Sequence, residues 1–350
     1  MPRFGFLLEL SFLVFAITIL FVASGKSSIQ SLSLIFGSII LEAFPFMLFG
    51  SLVGGLVEIF VSRERMTALL PKKYPWLAVC ISAGLGLVFP VCECAVVPVV
   101  RRLTKKGLPA GAAIAYLLGG PIVNPIVASS TALAYKLDFS VVALRLGGGY
   151  LIAVVVGLVM SRLFPSDRAL RPELRFGETT TYQCGLPLLS VDEHDHDDHC
   201  DCGHDHGAST MGGKLSAALR HAADDFLTVG HFLVIGAFIA ALAQTFVERK
   251  IFLGFTDYFA LPSLLMMTLA ILLNLCSEAD AFIAASFRGL MPLPAQMAFL
   301  LTGPMFDLKL LLMYQGLFRK RAIVVLSTCI LLAVLAVVLF LEVVMGGGVS

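Results

Sequence analysis

Seven stretches of this chain run for about twenty residues or more with almost no charge, long enough as helix to span the hydrocarbon core of a bilayer. They are Phe6–Ser24, Leu32–Val61, Leu108–Lys136, Phe139–Phe164, Ala222–Val247, Pro294–Phe318 and Ala322–Met345. One soluble core cannot hide so much apolar surface. Of the 350 residues, 58% are hydrophobic and 14% charged, against roughly 25% charged in a soluble domain. In lipid every backbone polar group must be satisfied internally, which favours helices. The fold class expected is therefore an all-α polytopic membrane protein, multi-pass in the cell inner (plasma) membrane, with the lipid bilayer as a partner. A formal net charge of +1 gives no sign of the basic surface that nucleic acid needs. There is no phosphate loop of the form G-x-x-x-x-G-K-[ST], so any transport is secondary or powered by another chain. The chain is not read as an enzyme. Phe6–Ser24 follows Arg3 and ends in Val22-Ala23-Ser24, so a cleaved signal segment is the alternative there; its length and Glu9 favour an N-terminal transmembrane helix.

Two further apolar segments are interrupted. Trp76–Leu103 carries Pro90, Pro98 and Cys92-Glu93-Cys94, and Ser263–Phe287 carries Cys276-Ser277-Glu278-Ala279-Asp280. Pro90 and Pro98 predict a helix break in the first, because proline lacks a backbone donor. Arg63, Arg65, Lys72 and Lys73 precede that segment, and Arg101, Arg102, Lys105 and Lys106 follow it. Positive residues collect on the cytoplasmic side, and a single crossing cannot put both clusters there. A re-entrant hairpin can, with Cys92-Glu93-Cys94 at its tip. Applied along the chain, this logic divides it into an N-terminal helix (1–30), a first membrane repeat (31–164), a cytoplasmic loop (165–221) and a second repeat (222–350), with the N-terminus inside. The second hairpin then dips from outside, and 18 of the 25 Lys and Arg residues fall on the cytoplasmic side.

The halves also match at an offset of 183–185 residues: Cys92-x-Cys94 with Cys276-x-Glu278, Leu108-Pro109-Ala110 with Leu293-Pro294-Ala295, Gly120-Pro121 with Gly303-Pro304, and Asn124 with Asp307. Two pseudo-symmetric, inverted repeats whose broken helices carry the site are expected, an architecture of many secondary transporters. A parallel repeat with both segments fully crossing is the alternative.

Ionisable residues at membrane depth are costly and usually functional. Glu93, Glu278, Asp280 and Asp307 all lie in or beside the paired breaks, with Cys92, Cys94 and Cys276. In a regular helix, residues two apart point to opposite sides; at a break both sulfurs of Cys92-x-Cys94 can turn inward. With Cys276 they make a three-sulfur pocket suited to Cu+, Zn2+ or trivalent arsenic. Glu93, Glu278 or Asp280 would complete a zinc sphere or carry a coupling proton. Asn124 and Asp307 would either offer oxygen ligands or cap exposed amides. Cys80 and Cys329 read as small buried hydrophobes. His231 reads equally as a structural partner or a proton group.

The loop 165–221 holds His194, His196, His199, Cys200, Cys202, His204 and His206 among aspartates. This is a metal-binding composition, read as an accessory feeder or sensor; a solvated linker is the bland alternative. A cytoplasmic setting makes its thiols reduced rather than disulfide-bonded.

Phe89-Pro90-Val91-Cys92-Glu93-Cys94, Gly107-Leu108-Pro109, Gly119-Gly120-Pro121-Ile122-Val123-Asn124-Pro125 and Gly303-Pro304-Met305-Phe306-Asp307-Leu308-Lys309 resemble the predicted-permease family that includes organoarsenical efflux permeases. With its His/Cys-rich loop, the chain is most similar to the branch described as copper/zinc efflux transporters. The resemblance implies export from the cytoplasm, a role in metal or metalloid resistance, and motif cysteines at Cys92 and Cys94 with Cys276 in the second half. The expected substrate is Zn2+ or Cu+, with an arsenite-type species as the alternative. No permanently bound cofactor is expected, and a homo-oligomer is compatible with the reading. An alternative of another class is a membrane metal sensor or a thiol redox protein.

Overall fold

The structure, a computed structural model, describes residues 75–105, 107–165, 169–171 and 260–346, together with 30–41, 233–239 and the single positions 44, 45, 48, 52, 223, 226, 230, 241 and 242. The predicted first span, His231 and the His/Cys-rich stretch 194–206 lie outside the described residues. Among the described residues the secondary structure is helical, with isolated β-bridges and no strands. The main elements are α1 (Pro75–Gly84) with a 3-10 turn at Leu85–Leu87, α2 (Glu93–Lys105), α3 (Ala110–Gly119), α4 (Pro125–Ala134), α5 (Phe139–Leu163), α6 (Leu261–Leu273), α7 (Ser277–Ser286), α8 (Leu293–Met305), α9 (Leu308–Tyr314) and α10 (Lys320–Gly346). Among the described residues, three stretches are long and apolar enough to cross a membrane: Phe139–Leu163, Leu293–Tyr314 and Lys320–Met345.

Four breaks organise the rest, each with a local cause. Between the 3-10 turn and α2 the chain is irregular through Pro90, and α2 starts where the Cys92 carbonyl accepts from Ala95 and Val96 N–H at 3.1 and 3.0 Å. Pro98 does not contribute to this break: it sits inside α2, and the break is complete before it. α3 stops at Gly119, and Asn124 caps α4 with Pro125 in the first turn, where a missing N–H costs nothing. α6 ends on Asn274 in the left-handed region, φ 48°, which asparagine tolerates better than most residues. In the second half Pro304 lies within α8, and the break follows at Phe306–Asp307, where Asp307 caps α9.

Close backbone approaches fix the course of the helices. A Cβ on Gly111 would stand 2.7 Å from Ser161 Cβ and 2.9 Å from the Gly157 carbonyl oxygen, so the start of α3 lies beside the end of α5. This end of the bundle is called the near end. α1 lies parallel to α3: a Cβ on Gly86 would meet the carbonyls of Val123 and Gly120 at 2.5 and 2.6 Å, and one on Gly119 would strike the Ala83 carbonyl. α1 therefore starts at the near end and stops beside the α3–α4 break. α2 returns to the near end, because a short connection through Gly107 joins it to α3. Its 13 residues rise about 20 Å, short of the roughly 30 Å core. Segment 75–105 thus enters and leaves at one end.

The second half is placed from the far end, where α4 turns into α5. In the α7–α8 loop, Arg288 Nη1 donates to the Tyr135 carbonyl at 3.2 Å and Nη2 lies 3.7 Å from Asp138 Oδ2. Tyr135 OH donates to Gln296 Oε1 at 2.9 Å. The α9–α10 loop sits at the near end, since Arg319 N donates to the Ala169 carbonyl and Arg171 N to the Leu317 carbonyl, both at 3.0 Å. α8–α9 therefore runs far to near, where α3–α4 runs near to far. α6 starts at the far end, where Ser263 Oγ donates to Glu342 Oε1 of α10 at 2.6 Å.

Candidate functional site

The breaks bring their polar residues together in the interior. Glu93 opens α2 and is 1% exposed, and Lys309, in the first turn of α9, is 3% exposed. Lys309 Nζ donates to Glu93 Oε1 at 3.3 Å and stands 3.8 Å from Asp307 Oδ2. Asp307 Oδ1 also accepts from Leu310 N at 2.6 Å. The Asn274 amide, turned nitrogen-first, donates to Asp307 Oδ1 and Oδ2 at 2.9 and 2.7 Å. Asp307 is thus held from three sides, and its cap joins the α6–α7 break to the α8–α9 break.

The thiols of Cys92 and Cys94 are in side-chain contact, and both interact electrostatically with Lys309. Cys92 precedes the helix and Cys94 lies in its first turn, so the irregular backbone lets two sulfurs converge that a regular helix would hold apart. Asp280, in the first turn of α7, packs onto the bare backbone of Gly303, where a Cβ would strike its Oδ2. Glu93 Oε2 and Asp280 Oδ2 are buried without a hydrogen-bond partner. An unsatisfied buried acceptor costs about 1–3 kcal/mol, more when charged.

A second buried cation crosses between the halves. Arg145 of α5 is 0% exposed. Its Nη1 donates to Thr131 Oγ1 at 2.8 Å and its Nη2 to the Ser277 carbonyl at 2.7 Å. Asp280 and Glu278 are among its electrostatic partners.

Cys92, Glu93, Cys94 and Asp307 thus gather around Lys309, with Asp280 in electrostatic reach of that group. Cys276 hydrogen-bonds the Glu278 side chain, and both are half-buried. Asn124 stands apart as the cap of α4, its Oδ1 accepting from Ile126 N at 2.8 Å. Of the two roles open to Asn124 and Asp307, the structure shows capping in both. Among the described residues no three His, Cys, Asp or Glu side chains are arranged to hold a metal ion, so a three-sulfur pocket is not assembled in this conformation. Among the described residues no cysteine is in a disulfide. Sequence reasoning missed Lys309, Arg145 and Asn274 as site residues. Lys309 and Arg145 carried a usable signal, since each is a basic residue deep inside an apolar stretch. Asn274 carried only its place before Cys276.

The chain matches the family described as "Predicted permease" over residues 28–343. It belongs to that family. This permease is 40% identical over 313 residues to the UPF0718 protein YcgR of Bacillus subtilis, covering 89% of this chain and 97% of the relative. It is 33% identical over 297 residues to a Streptococcus mutans protein named a putative two-component membrane permease complex subunit, covering 85% and 90%. A shorter match, 25% identical over 131 residues and about a third of each chain, is to the UPF0718 protein MJ0584 of Methanocaldococcus jannaschii. No solved structure matches the permease. The family match includes all four breaks and the Lys309 network.

Proposed function

We propose that this permease exports a soft metal cation of the Cu+ or Zn2+ type from the cytoplasm, through a site that draws its ligands from Cys92, Glu93, Cys94, Cys276, Glu278 and Asp280 as they close on the ion. The observation that carries the reading is the contact of the Cys92 and Cys94 sulfurs beside Glu93, next to two buried carboxylate oxygens that lack donors. Thiolates select soft ions, and unpartnered carboxylate oxygens favour a solute that brings positive charge. Trivalent arsenic also suits paired thiols and is the second reading, but a neutral arsenical would leave Glu93 Oε2 and Asp280 Oδ2 unsatisfied. Transport is secondary and proton-coupled: ligands must shed protons to bind metal, so an inward proton discharges the ion.

The near end is cytoplasmic on this reading. Arg101, Arg102, Lys105, Arg162, Arg171, Arg319, Lys320 and Arg321 lie toward it, and Lys136 and Arg288 toward the far end, as the positive-inside rule favours. The halves act as inverted repeats. The same order of broken helices in each, run in opposite directions, supports this, as does the pairing of α2 with α9 and α7 with α4. Residues 194–206 feed metal to the cytoplasmic opening. The Streptococcus mutans relative bears the name of a complex subunit, so a second membrane subunit is proposed as partner.

The test is metal accumulation in cells expressing wild type or the Cys92→Ala, Cys94→Ala double variant, challenged in turn with zinc, copper and trivalent arsenic. Wild type should lower cell zinc or copper and the variant should not. Equal lowering by both would refute the thiol site, and lowering of arsenic alone would move the substrate to the second reading.

A further inference from the structure

The proposed cation site already contains a cation. Lys309 Nζ is paired to Glu93 Oε1 at 3.3 Å and interacts with both Cys94 and Cys92. We infer that Lys309 is a tethered counter-cation that holds the place of the transported ion and must leave Glu93 for that ion to bind. This rests on the metal-export reading and adds to it the residue that sets how tightly the site holds its cargo.

Three observations carry the inference. First, the ligands of Asp307 are redundant and those of Glu93 are not. Asp307 keeps the Leu310 N–H and the Asn274 amide when the ammonium departs. Among the hydrogen bonds described, Glu93 has Lys309 alone, with Oε2 already unpartnered. Departure therefore strips one carboxylate, next to the two thiols, and a buried carboxylate left bare is strongly destabilising unless another cation arrives.

Second, the backbone of Lys309 is fixed, so any departure from Glu93 is a movement of its side chain alone. A Cβ on Gly236 would come within 2.8 Å of Lys309 Cα, so the α9 turn is packed in place. The ammonium rides on a flexible four-carbon stem with rotatable donors. Third, Lys309 comes from the second half and Glu93 from the first, so the exchange couples occupancy of the site to the contact between the halves. By the same alignment that pairs Asn124 with Asp307, residue 126, an isoleucine, occupies the equivalent place in the first half. The tethered cation therefore has no symmetric counterpart.

The experiment uses the full chain purified in detergent, with Zn2+ alone and then Cu+ alone as probes in equilibrium dialysis. Wild type, Lys309→Met and Lys309→Arg are compared by binding and by metal-induced thermal stabilisation. Lys309→Met, which removes the competitor, should bind at least tenfold tighter than wild type and gain more thermal stability from metal. In vesicles it should release its ion more slowly. Lys309→Arg, whose planar fork stays on its carboxylates, should bind at least tenfold weaker. A monodisperse Lys309→Met that binds no tighter than wild type overturns the inference and leaves the export reading standing. If Lys309→Met aggregates, Lys309→Arg decides, and wild-type affinity in it overturns the inference. Absence of Zn2+ and Cu+ binding in all three proteins overturns the export reading and the inference together.

Discussion

Arg145 is the side chain whose loss should be felt furthest from its own helix. It is fully buried in a stretch that reads as an ordinary apolar span, and it ties α5 and α4 of the first half to the start of α7 in the second. Replacing it by methionine keeps most of its length and removes both hydrogen bonds. Hydrogen bonds to charged groups contribute about 1.5–3 kcal/mol each, so losing the two costs about 3–5 kcal/mol. Asp280, 1% exposed with Oδ2 unpartnered, is an electrostatic partner that the loss leaves uncompensated. Arg145→Met should therefore destabilise by about 3–5 kcal/mol. Part of that should return in the double variant Arg145→Met, Asp280→Asn, with a coupling of about 0.5–3 kcal/mol expected for groups in one network. Denaturant titration of the detergent-solubilised protein, followed by tryptophan-independent far-ultraviolet circular dichroism, measures both. A single variant within about 1 kcal/mol of wild type, or a double variant whose effect is simply additive, would refute the argument that Arg145 is held by the charge of Asp280.

Other outcomes follow from the same geometry. Gly119→Ala should cost about 1–3 kcal/mol, the usual price of overpacking, because its Cβ would strike the Ala83 carbonyl, a backbone atom that cannot swing away; the same denaturant titration reads it. Asp307→Asn should keep most of the α9 cap, as asparagine caps about as well as aspartate, whereas Asp307→Ala should lose about 1 kcal/mol of cap free energy; comparing the two separates capping from charge in a metal-efflux assay. Single cysteines at Lys105 and Arg171 should react with an impermeant thiol reagent from the cytoplasmic side in oriented vesicles, and one at Arg288 from the other side. Labelling of Lys105 and Arg288 from one side would overturn the opposed hairpins. Deleting residues 192–206 should reduce metal tolerance without preventing membrane insertion, measured by growth on zinc or copper and by the amount of protein in the membrane fraction.

Much of this permease is written locally in its chain. Apolar run length and low charge dictate helices in a bilayer, because backbone groups in lipid must be satisfied within the segment itself. Proline, glycine and the Asn124 and Asp307 capping residues mark three of the four helix breaks, since turn and cap preferences act over a few residues. Paired basic flanks around Trp76–Leu103 point to a hairpin, because positive charges stay on the cytoplasmic side. Pro98 shows the limit of that local logic. Its sequence signal is as strong as that of Pro90, yet α2 continues through it, held by burial on every side from Val91 to Val100.

What only the tertiary structure decided is which charges meet. Glu93 and Lys309 are 216 residues apart, and Arg145 reaches Ser277 across 132. No local preference encodes such pairs. They exist because the broken helices meet in the interior, with α3–α4 and α8–α9 running in opposite directions, which brings several helix ends into one low-dielectric place where an unpaired charge is costly. The sequence alone determined a membrane-embedded helical permease with sulfur and carboxylate at its breaks. The packing determined that a lysine stands among them as the counter-ion.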